Sequence, residues 1–340
     1  MSEIHLQVVA LQQIPEVVEG SDLAALLLAS VGAASAGALH PGDVLAVSSK
    51  VVSKAAGLTV AADSRDRAVA ADTRRVVAER RTPRGLASVV EAAAGPVMAA
   101  AGVDASNTAA GTVLLLPKDP DEAARSLRAA LVARGAPRIA VVLTDTAGRP
   151  WRTGQTDFAL GCAGLQVTDD LRGTTDTSGT VLQVTERAIA DEIAAAADLV
   201  KGKASGAPAA LVRGLGQFVT EDDGPGARSL LRAPTSDWFR LGHVEAVRAS
   251  LRIVRGAVEV PSVLPEPLQH RARRALACAL DGQPGVAGFF SDDLLCEIVA
   301  PDAFAAGWLA ARLTAALWCE DLRGTVVGVD SGRVRVQVTG

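Results

Sequence analysis

The sequence predicts an α+β fold of mixed strands and helices with a smaller C-terminal α/β module, and three observations carry that expectation. Short apolar runs, "DVLAV" at 43–47 and "IAVVLT" at 139–144, are each cut off by polar residues, as buried strands are. Longer segments between and after them have helical periodicity and capping residues. Near Gln217 the texture changes: "GQFVTEDDGPGARSLLRAPTSDW" contains Gly, Pro and acids without a period, which reads as a boundary between residues 1–217 and 218–340.

The elements follow in order. "GDVLAVSSKVVSKAAG" gives a turn, a short strand at 44–47 and a polar segment with Ser48, Ser49, Lys50 and Lys54. "TVLLLPKDPDEAARSLRAALVARG" gives a strand, then Asp119 as N-cap, Pro120 at the first helical position, acids in the first turn and a Gly stop. That helix leads into "PRIAVVLTDT", the next strand. "TERAIADEIAAAADLVKGK" is a long helix with Ile189, Ile193, Ala197 and Val200 on one face and Gly202 at its end, and "APAALVRGL" returns as a strand. In the tail, "PLQHRARRALACAL" and "DAFAAGWLAARLTAALWCEDL" read as amphipathic helices. Phe304, Trp308, Leu309, Leu313, Leu317 and Trp318 have the spacing to form one buried face. "GTVVGVDSGRVRVQVTG" reads as a closing hairpin turned at Asp330, Ser331 and Gly332.

Composition removes several function classes. With 340 residues, 49% of them hydrophobic, the chain can build ordinary cores. A net charge of -4 and a pI near 5.7 give no reason to expect nucleic acid or an anionic membrane as partner. Cys162, Cys278, Cys296 and Cys319 are too scattered for a C-x-x-C site, which suits a reducing compartment. No basic leader precedes a long apolar segment, so a cytoplasmic protein without a membrane partner is expected. Phosphate-loop, dinucleotide, zinc-protease and nucleophile-elbow motifs are all missing, and the four histidines are far apart. Catalysis would therefore rest on carboxylates, hydroxyls, amides and lysines, ligands that suit Mg2+ or Mn2+ bridging to phosphate oxygens.

Within "VVLTDTAGRP" the run ends in Asp145 between two threonines. A buried, unpaired carboxylate costs several kcal/mol, so Asp145 must reach water or meet a cation. Asp104 in "AGVDASN" stands at a similar corner, followed by Ser106 and Asn107. Taken singly, each Asp reads first as a turn former. Brought together, the two corners would supply two carboxylates and neutral oxygens for one or two metals. Arg149 and Arg152, just beyond Asp145, are candidates for binding an anionic substrate, with a solvated turn as the plainer reading. Asp191 and Glu192 suit a solvated helix face as well as a site and are left outside the metal set.

In this order, "IPEVVEGSDLAALL", "GDVLAVSSKVVSKAAG", "AGVDASN", "LLLPKDPDEAARSLRAAL", "VVLTDTAGRPWRTGQTDFALGCAG", "ADEIAAAADLVKGK" and "ALVRGL" closely resemble the coenzyme F-420:L-glutamate ligase family, also called gamma-glutamyl ligase. The resemblance spans about residues 5–217. It implies the family's mixed α+β fold and a GTP-dependent ligase that adds glutamate to the glutamate-free coenzyme F-420. Asp104 and Asp145 match metal-binding carboxylates, and Thr146 matches a ligand of a second metal. Ile14, Pro15, Glu16, Val17, Ser49, Lys50, Lys54 and Asn107 fall at nucleotide-contacting positions. The stretch 201–208, with Lys201, Gly202 and Lys203, matches the final nucleotide-contacting loop. Asp104, Asp145 and Lys54 are the expected catalytic groups.

The resemblance further implies Mg2+ or Mn2+ as cofactor with K+ as an additional candidate, and a homodimer. The expected substrates are GTP, L-glutamate and the glutamate-free coenzyme. Archaeal members carry an acidic group where Lys203 aligns and a hydroxyl where Lys50 aligns, so the second metal has fewer protein ligands here or the loop alignment shifts. Some bacterial relatives append a flavin-binding, nitroreductase-like domain. The tail here is much shorter and has no flavin-phosphate motif, so no flavin is expected. It suits a remnant of such a domain, an unrelated α/β module or a dimer element. Other readings are a non-catalytic sensor of GTP or the coenzyme, or an acyl ligase for a different carboxylate. Asp104, Asp145, Thr146, Asn107 and Lys54 together argue against the sensor.

Overall fold

A computed structural model describes residues 5–202, 205–233 and 235–340, so the expected site residue Lys203 lies outside the described residues. The chain forms two compact units, one of residues 1–74 and 91–236, the other of residues 75–90 and 237–340.

The first unit is built on a five-stranded sheet in the order Gln7–Leu11, Ala209–Arg213, Val44–Ser48, Ala140–Arg149, Arg152–Ala163. Alternate residues of the inner strands enter two different cores. Leu45, Val47, Val141, Leu143 and Leu211 pack with helices Leu23–Ala33 and Pro120–Val132, while Val44, Ala46, Ala140, Val142 and Val212 pack with helix Ile189–Lys201. Both faces being covered, these strands read as unbroken apolar runs instead of alternating ones. The Asp119 carboxylate accepts the Glu122 amide and Pro120 opens its helix, as the sequence predicts. A Cβ at Gly161 would collide with the Pro120 carbonyl, so glycine lets this helix lie close on its strand.

Sheet pairing decides where the chain's polar corners go. Val44–Ser48 and Ala140–Arg149 run parallel with Ser48 opposite Thr144, so both strands deliver their C-terminal ends to one edge. Ala209–Arg213 is antiparallel to Val44–Ser48, with Ala209 opposite Val47, and the Pro208 carbonyl accepts the Ser48 amide at 2.8 Å. Leu11 pairs with Ala209, which brings the end of the first strand to the same edge.

The second unit has a four-stranded antiparallel sheet in the order Ala287–Phe290, Leu295–Val299, Arg333–Thr339, Arg323–Asp330. Helices Leu268–Leu280 and Ala303–Trp318 share one apolar core with it. The closing hairpin turns at Asp330, Ser331 and Gly332 as expected, Gly332 taking the left-handed φ of 75° that such a turn requires. Arg274, 4% exposed, bridges the carboxylates of Glu266 and Glu320. Residues 75–90 belong here: Arg81 donates its amide to Pro261 and accepts from Val263, and Glu79 binds the Arg255 guanidinium.

Two features differ from the sequence reading. The compact units do not divide at Gln217, since residues 218–236 belong with the first unit. Asp121, 5% exposed, accepts the amides of Cys162, Ala227 and Arg228 at 2.8, 2.7 and 3.1 Å, and Val219 pairs with Leu165. This acidic, glycine-rich run lacks a period because it is fastened through its backbone and a few irregularly spaced apolar residues, Val219 and Ala227 in the core with Phe218 and Leu230 beside them. The tail helix differs as well. Leu309, Leu313 and Leu317 are buried as expected, whereas Phe304, Trp308 and Trp318 are 83%, 52% and 63% exposed. Its aromatic residues point away from the core that its leucines fill. Among the described residues no helix is long and apolar enough to cross a membrane.

Candidate functional site

The edge where the parallel strands end holds a cavity of about 350 Å³ in the first unit. Four segments meet there for the reasons of register just given. Ser48, Lys50, Val51 and Lys54 come from one strand end and its helix; Thr144, Asp145 and Thr146 come from the neighbouring strand. Residues 14–17 arrive behind the first strand, and Gly206, Ala207 and Pro208 precede the strand at 209. Open sheets carry ligands outside the carboxyl ends of parallel strands, and this cavity occupies such a position.

The side chains around it alternate in charge. Asp104 is ion-paired with the Lys50 ammonium, which also donates to the Ser106 hydroxyl at 2.5 Å. Burial opposes the ionisation of Asp104, but Lys50 and the Ser106 amide outweigh it and hold the carboxyl below its usual range. Asp157 accepts from the Lys201 ammonium at 2.7 Å and from the Thr146 hydroxyl at 2.7 Å. Lys201 donates again to the Thr144 hydroxyl at 2.5 Å. Burial opposes ionisation here too, and Lys201 and the hydroxyls reverse it, so Asp157 is also held low.

Asp145 stands between these pairs without one of its own. Among the described residues no cation lies within ion-pair distance of it. Its carboxyl is pushed up to about 6, first by burial, with Asp104 and Asp157 adding repulsion that the Thr146 amide and Lys50 offset only in part. Asp145 is thus a desolvated donor facing a cavity, and its surroundings favour an added cation.

Most of the expected site residues meet at this cavity. Ile14, Pro15, Glu16, Val17, Lys50, Lys54, Asn107, Asp145, Thr146, Lys201 and Gly202 line it. Lys54 is tied to Glu16 at 2.5 Å. Ser49 is fully buried beside the lining with its hydroxyl lacking a hydrogen-bond partner among the described residues. Asp104 is attached through Lys50 and is not itself a lining residue. Its turn-forming role is real as well, since it accepts the Ser106 amide at 2.8 Å. Arg149 and Arg152 face each other at the exposed hairpin tip and do not line the cavity. Asp191 accepts the Ala159 amide at 2.9 Å, away from the lining, which accounts for its placement on the helix.

Asp157 and Asp198 also line the cavity and escape the sequence reading. Asp157 has a retrievable signal: folding "TDTAGRPWRTGQTD" into a hairpin sets it opposite Thr146. Asp198 lies near the C-terminal end of the Ile189–Lys201 helix, where a lone acid looks like any solvated one.

In comparisons with known proteins, residues 12–214 match the family described as F420-0:Gamma-glutamyl ligase. Coenzyme F420:L-glutamate ligase of Halobacterium salinarum is 40% identical over 252 residues, covering 68% of this chain and 94% of that protein. The protein of the same name from Methanopyrus kandleri is 38% identical over 241 residues, covering 65% and 92%. That of Natronomonas pharaonis is 39% identical over 229 residues, covering 61% and 86%. Every residue lining the cavity, from Ile14 to Pro208, falls inside the matched span.

Proposed function

Because the chain belongs to the F420-0:gamma-glutamyl ligase family, we propose that it joins L-glutamate to the glutamate-free form of coenzyme F-420, consuming GTP through an acyl phosphate. The observation that carries this reading is the cavity itself. Its 350 Å³ lies within the ~300–1,000 Å³ typical of small-molecule sites, and it combines a desolvated Asp145 with the cations of Lys50, Lys54 and Lys201. Such a lining suits a polyphosphate and a divalent ion.

Condensing a carboxylate with an amine in water is uphill, which is why activation is needed. A coenzyme carboxylate oxygen attacks the γ-phosphorus of GTP, and the bond to GDP breaks. The glutamate amine then attacks the acyl carbon, the bond to phosphate breaks, and the amine proton leaves to solvent. Lys54 and Lys50 provide positive charge for the phosphates, work in which positioning and charge neutralisation dominate. The pair Asp157–Lys201 orients the Thr146 hydroxyl, which donates a hydrogen bond to Asp157.

The donor set fits Mg2+ or Mn2+. Asp145, Asp104 and Thr146 are hard oxygen ligands, and Asp145 lacks a cation. When bound there, the ion would neutralise phosphate charge. Among the described residues no three acidic, His or Cys side chains converge on one point, so an ion held there would need phosphate oxygens and water to complete its coordination.

The test is an assay of purified protein with the glutamate-free coenzyme, L-glutamate, GTP and Mn2+, followed by mass spectrometry. The expected outcome is a glutamylated product with equimolar GDP. Asp145→Asn and Asp104→Asn should each lower turnover by about 100-fold or more in folded protein. Near-normal turnover in either variant removes its residue from the metal assignment, and equal efficiency with ATP counts against GTP.

A further inference from the structure

Asp191 and Arg228 line a second, smaller pocket of the first unit, about 110 Å³ in volume, to which the strand Arg152–Ala163 contributes Phe158, Ala159 and Leu160. Leu230 and Leu231 add apolar surface. Asp121, also in the lining, is fully engaged with the amides of Cys162, Ala227 and Arg228. Asp191 is not. It accepts the Ala159 amide, and among the described residues it has no other partner and no cation within ion-pair distance. Burial lifts its carboxyl above the usual range, and the Ala159 amide offsets this only in part. Arg228 is exposed, and among the described residues its guanidinium has no partner at all; only its backbone amide is bonded. An acid and a base in one pocket would ordinarily close on each other. Here both are held apart, Asp191 by its bond to Ala159 and Arg228 by the turn Ala227–Leu230, which Asp121 pins at its first two amides.

We propose that this pocket is the subsite for the amino-acid substrate, in which the ammonium of L-glutamate donates to Asp191 and its α-carboxylate pairs with Arg228. The assignment rests on the ligase reading above and adds the residues that recognise the amine. The two unpaired charges select the class of ligand. A simple anion would face Asp191, and a simple amine would leave Arg228 unmatched, whereas a zwitterion satisfies both. Size points the same way, since the pocket holds the space of about four water molecules, enough for one end of an amino acid and too little for a nucleotide. Phe158, Leu230 and Leu231 suit the methylene groups that follow. The location fits as well. Phe158 stands opposite Asp145 and Ala159 opposite Thr144, so the pocket borders the strand next to the one that carries Asp145, at a strand spacing of about 4.8 Å.

Binding and kinetics on the full chain test the subsite. The probes are L-glutamate and N-acetyl-L-glutamate, which lacks the ammonium, followed by saturation-transfer NMR. The parent should bind L-glutamate at least about tenfold more tightly than the acetylated probe. Asp191→Asn keeps an oxygen for the Ala159 amide and removes the charge, so it should erase that preference while melting close to the parent. Arg228→Gln should weaken L-glutamate by about tenfold. In ligation, both variants should raise KM for L-glutamate by about tenfold or more and leave KM for GTP unchanged. Equal affinity of the parent for the two probes, or no binding of either, overturns the subsite. An unchanged KM for L-glutamate in folded Asp191→Asn does so too, with ligation itself left standing. L-Glutamate held through Asp191 by a chain that forms no amide has the reverse meaning: the subsite stands and the ligase reading fails.

Discussion

A desolvated carboxylate without a cation is a burden on folding and an asset to binding. Asp145 shows both sides, since burial raises its carboxyl to about 6 while its neighbours Asp104 and Asp157 keep their own cations. Asp145→Asn keeps the shape and removes the charge. In protein stripped of divalent ions this variant should melt a few degrees higher than the parent while losing ligation, the trade expected of a functional site. A thermal scan in chelator checks it, and a lower melting point would mean that Asp145 is already satisfied. Asp157 gives the opposite prediction. Removing it strands the Lys201 ammonium, which is 4% exposed, so Asp157→Ala should cost about 3 kcal/mol in urea unfolding, as breaking a buried pair does. A loss below about 1 kcal/mol would show that water reaches Lys201. Asp145 is legible in the sequence because an acid ending an apolar run needs a reason. Asp157 becomes legible only once the hairpin is folded, because its significance comes from the residue opposite it and not from its neighbours along the chain.

At the scale of elements, the sequence is most readable where an element's own chemistry sets its limits. Asp119 and Pro120 start their helix, Gly202 stops the next, and the runs ending at Ser48 and Thr146 change from apolar to polar as the sheet edge is reached. What cannot be read this way is convergence. Four polar corners form one cavity only because one strand pair is parallel and two are antiparallel, and periodicity says nothing about either. In the second unit, the helix Leu268–Leu280 is anchored by Arg274, whose guanidinium is the main reason Glu266 is held down at about 2, below its ordinary 4.5. A depressed carboxyl contributes stability that is present above pH 4.5 and lost as pH falls through about 2. Glu266→Gln should therefore be less stable than the parent at pH 7, with the gap closing between pH 4.5 and 2. Urea titrations at several pH values check this; a gap independent of pH would assign the effect to packing.

For the molecule as a whole, the division of the chain was the least legible property. A polar, glycine-rich stretch resembles a linker in composition, yet residues 218–236 are fastened to the first unit by the Asp121 carboxylate and the Leu165–Val219 pairing. Residues 75–90 belong to the second unit although they are flanked on both sides by residues of the first, and no local signal announces that. The family match ends at residue 214, so the region 237–340 has its own core and its own reasons to fold.

One consequence of the strand segment at 75–90 concerns what holds the chain together once it is cut. A protease that cleaves once between Ser236 and Asp237 breaks the covalent connection but leaves the Arg81 backbone bonded to Pro261 and Val263, and Glu79 bonded to Arg255. Fragments 1–236 and 237–340 should therefore travel as one particle on a sizing column and separate only in denaturant. Their separation under native conditions would show that this clasp is too weak to outlast the peptide bond.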